Sequence, residues 1–158
     1  MKETIVEQPS MIIVGVVGSG ADAATIDIAD LWEYFERHPV GVENAVEGTW
    51  YEIHAERESG SHFTMVGMEV PEVPTSLPAD MFVKVLPAAK YVTFVHHFSD
   101  GGFARAFEQV YAWLEDSEYE LAHQYDLQCY DDRFKGPSDP ESALEIWVPI
   151  GRTTESAV

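Results

Sequence analysis

The sequence predicts an α+β fold. Two βαββ units are related by a pseudo-twofold axis, their antiparallel sheets carry helices on one side, and a central cleft lies where the units meet. Three observations carry that prediction. The order strand, helix, strand, strand can be read twice along the chain. Pro71, Pro74 and Pro78 interrupt the middle of the chain, where neither a helix nor a central strand can continue. Individual residues of the two halves also match: Pro9 of IVEQP (5–9) with Pro87 of VKVLP (83–87), LWEYFE (31–36) with VYAWLE (110–115), and Glu56-Arg57 with Asp132-Arg133.

In the first half, residues 11–17 form a short β-branched run that reads as a strand. The glycines of GVVGSG (15–20) are spaced wrongly for a dinucleotide fingerprint and precede an acidic segment, so they are read as a loop. Ile28, Leu31, Trp32 and Phe35 recur at helical spacing and predict a helix over 26–37, stopped by His38-Pro39. Residues 50–54 and 62–70 are extended segments around the turn residues ESGS (58–61). In the second half, 91–97 is a strand, SDGG (99–102) a turn, and Phe103, Phe107, Val110 and Leu114 mark one face of a helix over 103–115. Residues 127–130 and 144–150 supply the closing strands, separated by the turn-rich KGPSDP (135–140). The 158 residues thus divide into repeat 1 (about 1–70), a proline-rich connector (71–80), repeat 2 (about 81–150) and a tail (151–158), all within one domain. A chain of this length buries enough surface to fold without disulfides or metal.

Twenty-eight Asp and Glu stand against nine Lys and Arg, a formal charge of −19. Such a surface repels phosphates, which argues against direct nucleic-acid binding and leaves cations and basic partners as candidates. The same charge also serves solubility alone. The single cysteine, Cys129, cannot close an internal disulfide, and the first residues open no secretory signal, so a cytoplasmic location is expected. No apolar run approaches the length needed to span a bilayer.

A seam between two sheet-bearing units is a usual place for a small-molecule site. Side chains alternate along a strand, so in LEIWVPI (144–150) Glu145 and Trp147 share one face while Leu144, Ile146 and Val148 share the other. With the apolar trio against the helices, Glu145 and Trp147 point together to the opposite face, as a counter-ion and a stacking wall for an organic cation. The same spacing also fits a strand whose outer face meets water. Gln128 and Tyr130 alternate likewise and meet Glu145 and Trp147 if these two strands pair, either extending the pocket or forming a polar cross-strand pair. Tyr91 belongs to a pool of aromatics of which most are core and a few line the cleft. The six histidines show no metal-site spacing: His96-His97 point to opposite faces of a strand, His54 and His62 lie across a hairpin, and HExxH, paired CxxC and P-loop signatures are absent, so no metal or cofactor is expected. Cys129 inside a strand reads as a buried, inert thiol.

LPAAKY (86–91), AWL (112–114), YDDRF (130–134) and LEIWVPI (144–150) together resemble the GyrI-like effector-binding domain of AraC-type and multidrug-sensing transcription regulators, which also occurs alone. The resemblance covers essentially the whole chain, more clearly from 78 to 150. It implies a duplicated βαββ fold whose cleft takes bulky, often cationic and aromatic compounds, with Glu145 matching the acid of the terminal strand. Where the family often carries a glutamate in the preceding strand, this chain has Gln128. With the first strand beginning near residue 11, a helix-turn-helix has no room, so a stand-alone sensor or sequestering protein is expected. Two alternatives are implied by relatives of this family: a hydrolase of strained electrophilic genotoxins using Glu145, or an acidic module that modulates a basic partner such as gyrase.

Overall fold

The computed structural model describes residues 2–21, 26–37, 44–56 and 59–153. The helix stop at His38-Pro39, Arg57 of the matched acid-arginine pairs and Glu58 of the turn lie outside these residues. The chain runs β1 (Glu3–Gln8), β2 (Met11–Gly20), α1 (Ile28–Arg37), β3 (Trp50–Glu56), β4 (His62–Val70), β5 (Phe82–Leu86), β6 (Ala89–His97), a 3-10 turn (Phe98–Asp100), α2 (Phe103–Asp116), β7 (Tyr119–Leu121), β8 (Tyr125–Tyr130) and β9 (Ala143–Arg152). Nine strands form one antiparallel sheet in the order β1-β6-β9-β8-β3-β4-β2-β5, with β7 paired to β9. The predicted α+β class holds. Neither helix is long and apolar enough to cross a membrane.

Three element readings change, one of them the short β7 after α2, which the sequence reading lacked. The GVVGSG glycines are not a loop but the second half of β2. Gly15 stands opposite Gly67 of β4, and a Cβ at Gly15 would lie 1.9 Å from the Val66 carbonyl oxygen. This glycine therefore serves a close approach of two backbones rather than a turn. Each half also begins with a strand the βαββ reading lacked, β1 and β5, each ending just before its matched proline, Pro9 or Pro87. Exchanging β1 with β5, β2 with β6, β3 with β8 and β4 with β9 reverses the strand order without otherwise changing it.

These leading strands shape the sheet. β1 and β2 are separated by six strand spacings in the sheet order, about 29 Å if the sheet were flat. Yet only residues 9 and 10 join them, so Gln8 and Met11 lie within about 11 Å. β5 and β6 are likewise six spacings apart and joined through 87 and 88 alone. The sheet must curl. Its helix-free face closes around Met11, Ile13, Tyr51, Ile53, Met65, Leu86, Tyr91, Leu127 and Cys129, all buried. Ser10 Oγ donates to the Leu86 carbonyl at 3.1 Å and ties the two edge connections together.

Both helices cover the other face. α1, begun by Asp27 Oδ1 accepting the Asp30 N–H at 3.0 Å, lays Leu31, Trp32 and Phe35 on Val14, Val16 and Val66. α2 buries Ala106, Val110 and Leu114 against Val92, Phe94, Ile146 and Val148. The central strands β3 and β8 run between these two packed clusters.

Candidate functional site

Alternation and register decide what β3 and β8 present between the helices. Trp50 stands opposite Tyr130, Glu52 opposite Gln128 and His54 opposite Asp126. Glu52 is also opposite Val66, which packs under α1, and Gln128 is opposite Ile146, which packs under α2, so all six side chains belong to the helix-bearing face. In the first repeat the alternating partners Tyr51 and Ile53 go to the inner core, which leaves Glu52 and His54 to this face.

Glu52 is buried, at 4% exposure, and both carboxylate oxygens are engaged. Trp32 Nε1 of α1 donates to Oε1 at 2.8 Å, and His54 Nε2 lies 2.8 Å from Oε2. His54 Nδ1 faces Thr64 Oγ1 at 3.3 Å. Tyr130 donates its hydroxyl to Gln128 Oε1 at 2.8 Å, meets the Trp32 ring edge-on at 5.0 Å and packs against Phe134 at 4.9 Å. Burial opposes protonation of His54, but the Glu52 hydrogen bond and the charges of Glu52 and Asp126 outweigh it and raise its pKa. Burial also pushes Asp126 up to about 6, opposed by His54 and reinforced by Glu52. The Tyr130 phenol is raised by burial and then by Glu52, so it stays a neutral donor.

Beside this cluster lies a cavity of about 390 Å³, a size suited to a small organic molecule. Phe107 and Tyr111 of α2 and Leu121 supply apolar wall, while His54, Glu56, Asp126 and Gln128 supply polar groups. The arrangement offers carboxylate charge against aromatic surface, the combination that attracts an organic cation. Two further cavities, about 590 and 450 Å³, flank His96 at the start of α2. Among the described residues no group of His, Cys, Asp and Glu is arranged to hold a metal ion.

The five residues singled out from the sequence separate onto two faces. Glu145 and Trp147 do share a face, with Leu144, Ile146 and Val148 under α2 on the other. Tyr91 joins them: its ring lies 5.5 Å from Trp147 and its hydroxyl is 2.7 Å from that of Tyr125. Gln128 and Tyr130 do not meet Glu145 and Trp147. The β8–β9 register sets Cys129 opposite Glu145 and Leu127 opposite Trp147, one residue away from the expected pairing, and so sends Gln128 and Tyr130 to the helix side. Trp147 packs against the inner core, and its indole nitrogen is buried without a partner. Glu145 lies 3.2 Å from Arg133 Nη2, and neither it nor Trp147 lines the three cavities described above. Cys129 is buried and its thiol pKa is raised well above its ordinary value by burial and by Glu145, as an inert thiol requires.

Glu52, His54, Asp126 and Trp32 were missed in the sequence. One signal pointed to them: the match of Glu56 with Asp132 carries Glu52 onto Gln128, so the two halves contribute equivalent positions to one place.

Comparison with known proteins agrees with this architecture. The family model of the GyrI-like small molecule binding domain matches residues 1–151. The transcriptional regulator BrlR of Pseudomonas aeruginosa is 32% identical over 153 residues, covering 95% of this chain and 56% of the regulator, so the chain spans little more than half of that relative. The structure of SAV2435 bound to tetraphenylphosphonium superposes with a TM-score of 0.74 at 16% identity, covering 99% of this chain and 98% of the other. A hydrolase from Listeria innocua superposes with a TM-score of 0.58 at 14% identity, covering 95% and 92%. Likeness at such identities speaks for the fold alone, whereas the family match spans nearly the whole sequence. The chain belongs to the GyrI-like small molecule binding domain family.

Proposed function

We propose that this chain binds bulky amphipathic, cationic aromatic compounds in the cavity beside β3 and β8, and acts in sensing or sequestration. The carrying observation is the cavity lined by the carboxylates of Asp126 and Glu56, beside the buried Glu52 of β3, set against the aromatic wall of Phe107 and Tyr111. A cation entering this place meets negative charge in a low-dielectric setting, where Coulomb attraction is strong. The formal charge of −19 raises the local concentration of cations around the whole molecule. The cation in the SAV2435 complex and the regulator relative support the reading.

Tryptophan-fluorescence titration with tetraphenylphosphonium and with neutral triphenylphosphine oxide tests it. Glu52→Gln keeps shape but removes one charge and exchanges one acceptor for a donor, so affinity for the phosphonium should fall about 10- to 100-fold while the neutral compound is unaffected. Equal losses for both compounds would make Glu52 a shape determinant and defeat the counter-ion role. Turnover of a strained electrophile, with the binding titration flat, would put a hydrolase in place of the binding protein.

A further inference from the structure

The polar groups around the cavity beside β3 and β8 are unequally satisfied. Both oxygens of Glu52 are taken, by Trp32 and His54. Gln128 Oε1 accepts from Tyr130. Asp126 Oδ1 is buried and has no hydrogen-bond partner. Its neighbour across the ladder is His54, the nearest candidate donor by register. Yet both ring nitrogens of His54 are committed, Nε2 to Glu52 and Nδ1 to Thr64. The sheet therefore holds the Asp126 side chain at the cavity wall with one oxygen buried, and directs the adjacent donor elsewhere. An ionised carboxylate only accepts hydrogen bonds, and leaving one buried without a partner is costly. Asp126 lines the cavity, so a ligand there is placed to supply a donor to its carboxylate.

Building on the cation-binding reading above, we propose that Asp126 is a specificity-determining residue that selects protonated amines. The ligand class is an aromatic or apolar body carrying a primary, secondary or tertiary ammonium, whose N–H donates to the Asp126 carboxylate while its apolar part rests on Phe107, Tyr111 and Leu121. A quaternary ammonium or a phosphonium brings the same charge but no donor. It satisfies the electrostatics and leaves the Asp126 oxygen unpaired. Discrimination of this kind, built on a buried acceptor that only one of two ligands can satisfy, is stronger than discrimination by one methyl group in an apolar pocket. Charge supplied by Glu52 and Asp126 together attracts both ligand types, and the hydrogen bond separates them.

The test compares N,N-dimethyl-4-phenylbenzylamine with its N-methylated quaternary counterpart, by calorimetry at pH 7.5 where the amine is protonated. The tertiary ammonium should bind at least 5- to 10-fold more tightly. Asp126→Leu removes the acceptor while keeping the branched shape and should reduce that ratio to about one. Should that variant fail to fold, Asp126→Asn, which keeps an acceptor without charge, should narrow the ratio but not reverse it. Equal binding of the two compounds to the native protein overturns the selectivity, because water then satisfies Asp126 as well as a ligand does; the cation-binding reading survives that result. If neither compound nor tetraphenylphosphonium binds, the underlying reading fails and this inference falls with it.

Discussion

His54 and Asp126 face each other across β3 and β8, and both hold protons more tightly in the folded chain than in the unfolded one. Each therefore makes the native state lose stability as pH rises. For Asp126 the loss runs between its ordinary 3.8 and about 6, and for His54 it begins near 6.5 and ends above the raised folded value. Urea unfolding across pH 4 to 8 should show a falling unfolding free energy. Asp126→Asn should flatten the lower part of that slope and add about 1–3 kcal/mol at neutral pH. His54→Gln, which retains a donor toward Glu52, should flatten the upper part; an unchanged slope in either variant would contradict the assignment. At Glu145 the geometry leads to the opposite expectation from the sequence. Arg133 lies 3.2 Å from it and also binds Asp131, whose carboxyl that hydrogen bond holds below the usual range. Glu145→Gln should change phosphonium affinity less than about 2-fold and cost no more than about 1 kcal/mol of stability, as befits a half-exposed ion pair. A loss as large as that of Glu52→Gln would restore Glu145 to the site.

Among the elements, the helices were the easiest to read. Apolar residues at helical spacing put α1 and α2 within two residues of their observed ends, because the buried face of a surface helix is written directly into its periodicity. β2 was harder. Its glycines look like a loop in isolation, and only the strand lying across from them explains their presence. Gly15→Ala brings a methyl group against the Val66 carbonyl, and Gly67→Ala brings one 2.4 Å from the Val14 carbonyl. Neither neighbour is a flexible side chain, so each substitution should destabilise by about 2–4 kcal/mol in thermal or urea unfolding. Gly48→Ala makes a control for the contact itself: its Cβ would meet nothing within 4 Å, though its φ of +87 carries a backbone cost of its own. If Gly15→Ala cost no more than Gly48→Ala, the close approach of β2 and β4 would be refuted.

For the molecule as a whole, the two short proline-bearing links are the decisive constraint, since they bring opposite ends of the strand order together and make the sheet curl. The reversal of strand order on exchanging halves is what a duplication predicts. Superposing residues 3–70 on 82–150 in a crystal structure should bring Pro9 onto Pro87 and α1 onto α2. Failure to do so would break the proposed pseudo-twofold relation. Charge also acts at this scale. Raising salt from 0.01 to 0.15 M shortens the screening length from about 30 to about 8 Å. Phosphonium affinity should fall several-fold over that range while binding of the neutral oxide stays level; parallel changes in both would remove the long-range field from the account.

The α+β class, the positions of both helices, the sharing of one face by Glu145 and Trp147, and the family itself were determined by the sequence alone. These follow from periodicity, alternation and ordered short motifs, which are local properties of the chain. The tertiary structure decided which strands pair and in what register. A shift of one residue between β8 and β9 carries Gln128 and Tyr130 from one face of the sheet to the other, and no local pattern encodes that shift. It also decided that Glu52, Asp126 and Trp32, distant in the chain, share one place between the helices, because that proximity exists only once the sheet has closed.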